Sequence, residues 1–210
     1  MRILEEIRQE HRLVEGIAGS LRFWAQRGAD HPDAAADRAD LVRFLRAFLV
    51  RHHFGNEEAL FDALVEHGEV PGHRGPLAVL RREHEETARA VDRFESLDAQ
   101  EDPAALAMKI AVELWQHMDK EESVLMPEAK RRLFDGGVRD VELPPAPQEI
   151  EEIRDLGHAL VGRLPPMDDP DLIRGDGCIP CAAFGEECHG IESEWWSDWE
   201  REHYASLDEG

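Results

Sequence analysis

Imidazole and carboxylate recur in this chain at spacings that suit metal coordination. His53 and Glu57 stand four residues apart, as do His117 and Glu121, and two further histidines, His11 and His84, each follow a glutamate. On a helix, residues four apart lie one turn above each other, so each histidine–glutamate pair aims a nitrogen and an oxygen at ions a few ångströms apart. Such nitrogen and oxygen donors suit iron, manganese or zinc. Taken singly, an inward histidine or one such pair is more often a hydrogen-bonded core residue than a ligand.

The elements that must carry these residues decide between the two readings. Ile3, Ile7, Val14, Leu21 and Trp24 recur at helical spacing and predict a first helix from about Ile3 to Gln26. A second begins after Asp30, His31 and Pro32 and runs to about Glu66, its core line passing through Leu41, Leu45, Leu49, Leu60 and Leu64 and interrupted but not ended by Gly55. A third starts at Gly75 and Pro76 and follows Leu77, Leu80, Val91 and Phe94. The fourth starts at Asp102 and Pro103, follows Leu106, Ile110, Leu114 and Leu125, and is expected to close at Pro127 and then Gly136 and Gly137. No stretch alternates with period two, so the fold class is all-α. Short connections predict an up-down-up-down four-helix bundle.

His11 then falls between Ile7 and Val14, His84 between Leu80 and Val91, His53 and Glu57 continue the line of Leu45 and Leu49, and His117 and Glu121 lie between Leu114 and Leu125. All four helices turn imidazole or carboxylate inward. A buried glutamate costs several kcal/mol unless it is paired or binds a metal. The first two helices also read as a copy of the second two, an internal pseudo-twofold. Six such residues on the core face, related by duplication, point to a metal centre, and bundle cores are where di-metal carboxylate sites are built.

As a set, Glu10-His11, His53 with Glu57-Glu58 followed by Leu60-Phe61, Glu83-His84, and His117 with Glu121-Glu122 and Pro127 resemble the hemerythrin-like family, or HHE cation-binding domain, over about residues 1–135. The resemblance implies a bundle of the hemerythrin type holding two iron ions per chain, which react with dioxygen, nitric oxide or peroxide, or report iron itself. It implies that His11 and His53 bind one iron, His84 and His117 the other, and that Glu57 and Glu121 bridge them. Oxygen carriers of the family place a second histidine one turn after the first on the third helix, where this chain has Ala88. Reversible oxygen storage is therefore not expected. Glu58 and Glu122 are turned away by the helix and are expected at the surface or behind the ligands, while His31, His52, His67 and His73 are expected on outward faces or loops. A binding or sensing role leads. An enzyme of peroxide removal or iron–sulfur centre repair comes second and iron storage third, because the same six ligands serve all three.

Composition narrows the partners. The formal charge is -22, with 28 acidic against 20 basic residues in 1–140 and 18 against 4 in 141–210. A field of that sign repels phosphate backbones and anionic lipid, so neither nucleic acid nor a membrane surface is an expected partner. No apolar run approaches the length of a span and the first residues carry acids at helical spacing, so a cytoplasmic location is the expectation.

Residues 1–139 are expected to form the bundle and residues 140–210 an acidic, cysteine-containing helical extension. After Pro144 and Pro145 a short amphipathic helix through Ile150, Ile153, Leu160 and Leu164 is expected to cap the bundle. Beyond it, Cys178, Cys181, Cys188 and His189 have the ligand count of a Cys3His zinc site, with His203 or His158 as alternative fourth ligands. A redox thiol pair and unreactive thiols are the other readings. Trp195, Trp196 and Trp199 are costly to leave in water and are expected to pack on the bundle, on a second copy or on a protein partner.

Overall fold

The computed structural model describes residues 1–28, 31–73, 75–97 and 102–168. Helix α1 (Arg2–Arg27) buries Ile3, Ile7, Glu10, Val14, Ile17, Leu21 and Trp24 along one stripe at spacings of three and four. Helix α2 (Ala34–Phe44) continues without a break through a wider-wound stretch, Leu45–His53, into α3 (Phe54–His67). There the Phe54 N–H donates to the Leu49 carbonyl, five residues back, so the backbone carries one extra residue per turn where His52 and His53 enter the core. Gly55 sits in this rod without ending it.

Helix α4 spans Gly75–Ser96, and α5 (Pro103–Lys120) starts with Asp102 Oδ1 accepting from the Ala104 N–H at 2.9 Å and proline in the first turn. A second widened turn, Glu121–Leu125, joins α5 to α6 (Met126–Asp135). The expectation that Pro127 helps close the fourth helix is therefore corrected. Proline lacks an N–H and clashes with the preceding turn of a regular helix, and the widened turn before it, with the Met126 N–H on the Glu121 carbonyl, lets the rod run on to Asp135. Gly136 ends it, its N–H bonded to the Arg132 carbonyl at 2.8 Å.

Two apolar clusters flank the middle of the molecule. One gathers Ile3, Leu4 and Ile7 with Leu60, Phe61 and Leu64, Leu77 and Leu80, and Leu125, Met126 and Leu133. The other gathers the remainder of α1 with Leu41 to Phe54, Ala90 to Phe94, and Leu106 to Met118. The structure is all-helical among the described residues. Among the described residues no helix is long and apolar enough to cross a membrane.

Helix α7 (Ile150–Arg163) packs on α1, α2 and the widened stretch, burying Ile150, Ile153 and Leu160, with Leu164 buried just beyond its end. A side chain at Gly157 would overlap the Phe44 ring, so only glycine permits this approach. Arg163 reaches Asp37 and Asp40 at 2.7 Å, and the Ser20 hydroxyl donates to the Leu164 carbonyl at 2.7 Å. Cys178, Cys181, Cys188, His189, His203 and the three tryptophans of the tail lie outside the described residues.

Candidate metal centre

Between the two clusters, every rod contributes polar side chains to one buried knot. His11, His53, Glu57, His84, His117 and Glu121 are all buried, Glu57 completely. Glu57 lies across the middle. Its Oε1 is 3.2 Å from His11 Nε2 and 2.9 Å from His53 Nε2, and its Oε2 is 3.0 Å from His84 Nε2 and 3.9 Å from His117 Nε2. One carboxylate oxygen thus faces each pair of histidines. Glu121 Oε2 is 3.2 Å from His11 Nε2 and 3.6 Å from His117 Nε2. Donor atoms of His11, His53 and Glu57 form one group close enough to share an ion, and those of Glu57, His84, His117 and Glu121 form another.

Behind the histidines is a second set of carboxylates. Each of the four histidines donates through Nδ1 to a glutamate on a neighbouring rod: His53 to Glu10 at 2.8 Å, His84 to Glu58 at 3.1 Å, His117 to Glu83 at 2.9 Å and His11 to Glu122 at 2.9 Å. Each rod supports the histidine of the next, and the fourth closes on the first. A carboxylate on Nδ1 fixes the tautomer, turns Nε2 inward and makes it a more basic ligand. Glu58 and Glu122 are thus the supports that the helix direction suggested, both partly exposed.

Charge and burial at the centre fit a cation. Burial and the charge of Glu57 push the Glu121 carboxyl up, while the histidines hold Glu57 well below the usual carboxylate range against its burial. Burial alone would lower His117, yet Glu121, Glu57 and Glu83 push it up to about 10; His53 is pushed up to about 8, against burial, by Glu57 and Glu10. Both oxygens of Glu121 and Oε2 of Glu57 lack a well-aligned donor. Buried carboxylate oxygens in that condition are costly, and a pair of metal cations fits them, since each needs oxygen and imidazole donors and would displace the protons the cluster holds.

Not every sequence expectation holds. His52 is buried rather than outward, its Nε2 2.8 Å from Glu10 Oε1. The widened turn places neighbouring residues 52 and 53 both toward the core, and Glu10 also accepts from Asn56 Nδ2 at 3.0 Å. The signal was present: Phe48, His52 and Asn56 form a second stripe beside Leu49, His53 and Glu57, and Glu10 occupies an apolar position between Ile7 and Val14. His67 and His73 are exposed and His31 is partly so, as expected, and Ala88 is partly buried and offers no donor. Phe54, also unforeseen, stacks on His84 with ring centroids 4.0 Å apart, and Phe61 lies parallel to the same ring at 5.6 Å. A groove of about 220 Å³ between α1 and α5 reaches His11, lined by Arg8, Arg12, Trp115 and Glu122 among others. His158 lies exposed on α7.

Comparison with known proteins agrees with this geometry. The model of the hemerythrin HHE cation binding domain family matches residues 2–129. No curated protein and no solved structure matches the chain.

Proposed function

Because the chain belongs to the hemerythrin HHE cation-binding family, we propose that it is a di-iron protein that binds or senses a small ligand such as dioxygen, nitric oxide or peroxide. His11 and His53 hold one ion, His84 and His117 the other, and Glu57 and Glu121 bridge them. The observation that carries this reading is the placement of Glu57, with one oxygen toward each histidine pair and a second buried carboxylate, Glu121, beside it. The gathering of helix starts and ends in alternate clusters supports an up-down-up-down bundle. When bound, the iron pair supplies reversible electron transfer and open coordination positions; the chain supplies four oriented imidazoles, two carboxylates and a groove at His11 through which a small molecule approaches.

An anaerobic titration with ferrous iron, followed by mixing with oxygen, nitric oxide or peroxide, tests this. The expected result is saturation at two ions per chain and a visible absorption change with at least one ligand. Saturation at one ion, or no response to any ligand, contradicts it. Catalytic turnover of peroxide in the same experiment would favour the enzyme reading over the sensor. In the extension, Cys178, Cys181, Cys188 and His189 are proposed to hold a separate zinc, since thiolates select zinc while the centre offers only nitrogen and oxygen.

A further inference from the structure

The four carboxylates behind the histidines are not compensated alike. Glu58 and Glu83, which support His84 and His117, each have a permanent cation against them: Arg81 Nε donates to Glu58 at 2.8 Å, and the Lys120 ammonium contacts Glu83. Glu10 and Glu122, which support His53 and His11, do not. Glu10 is met by Asn56 and His52, neither of them permanently charged, and it is buried. Glu122 has no lysine or arginine in contact among the described residues, and Arg8 and Arg12 act on it only from a distance. The pseudo-twofold therefore repeats the ligands and breaks at the charges behind them.

A carboxylate on Nδ1–H makes the imidazole more electron-donating and favours the more highly charged metal ion, and a cation against that carboxylate counters the effect. We propose, resting on the di-iron reading above, that the two metal positions are electronically unequal: the ion held by His11 and His53 becomes ferric first, and the ion held by His84 and His117 stays ferrous, with Glu10 and Glu122 against Arg81 and Lys120 as the tuning residues. The step is one-electron: a ferrous ion gives one electron to an outer-sphere oxidant such as ferricyanide, and no bond to a protein ligand forms or breaks. These residues act through the histidines and are positioning residues.

The test is a spectroelectrochemical titration of the full chain loaded with two ferrous ions, with electron paramagnetic resonance following the half-oxidised state. Wild type is expected to show two separated one-electron couples and a valence-localised half-oxidised signal. Glu122→Gln is expected to raise the couple oxidised first, and Arg81→Met to lower the couple oxidised second. Each narrows the gap, lowering the comproportionation constant about tenfold, which for a one-electron couple is about 59 mV. Both sites are partly exposed, and iron content and circular dichroism show whether each variant is folded and loaded. The proposal is overturned if either variant moves the other couple, or if both couples shift together. A chain that loads two irons without a localised half-oxidised signal also overturns it, whereas a chain that never loads two irons brings down the di-iron reading itself.

Discussion

Residues 2–67 and 75–135 carry the same histidine and glutamate pattern, yet the surroundings they build differ. Both supply a histidine after a glutamate and a histidine–glutamate pair, and both place these in the same knot. In the first half the support of His53 is sealed by His52 and Asn56; in the second the matching support of His117 is Glu83, in contact with Lys120. The His84 ring is stacked on Phe54, whereas His11 faces a groove. The extension helix α7 packs on α1 and α2 of the first half. The repeat places the same donor types in both halves. The residues around the donors differ between the halves in burial and in access.

The largest effect is expected where support is most deeply buried. Glu10→Ala leaves His53 and Asn56 without their shared acceptor and His52 without its carboxylate neighbour inside the core, and should cost about 3–5 kcal/mol, with loss of iron. Glu122→Ala, at a half-exposed residue with the same role for His11, should cost about 1 kcal/mol or less. Urea denaturation of both variants, with iron analysis, checks the ratio. Equal losses would mean that the halves are supported alike.

Acid should act on both halves in one window. Burial alone would raise Glu10 and Glu83, but His52 and His53 bring Glu10, and His117 with Lys120 bring Glu83, down to about 2. A depressed carboxyl stabilises the fold above its unfolded value of 4.5 and stops doing so as pH falls through its folded value, so each contributes of order 3 kcal/mol at neutral pH. Stability of the iron-free chain should therefore fall between pH 4.5 and about 2. Circular dichroism against pH reads this, and a chain whose stability is flat across that window would show that these pairs are not formed.

Much of this was legible beforehand. The six inward residues are legible because polar side chains stand on apolar stripes of helical period. His52 was not, because a regular helix puts a residue beside an inward one on the flank, and only the widened turn at Leu45–His53 brings both inside. In the sequence Glu10 and Glu83 stand out only as part of a motif. Their role depends on which helix stands next to which, a tertiary fact that periodicity does not carry. The continuation through Pro127 had the same cause as His52, a second widened turn.

A smaller effect is expected at the extension. Gly157→Val presses a side chain into the Phe44 ring and should lift α7, costing about 1–3 kcal/mol while iron loading survives, because α7 supplies none of the six residues. Loss of iron in this variant would mean that the extension holds the first half in shape. Smaller still, a chain ending after Asp168 should keep its full iron content and lose only the zinc expected with the tail cysteines. Zinc absent from the reduced full-length protein would remove that assignment.

The central claim is that one carboxylate joins two metal positions, and iron stoichiometry of the purified chain tests it most directly. Wild type should hold two irons per chain, Glu57→Ala should fall to one or none, and His67→Ala, at an exposed surface histidine, should remain at two. Two irons retained by Glu57→Ala, or fewer than two in fully loaded wild type, would contradict it.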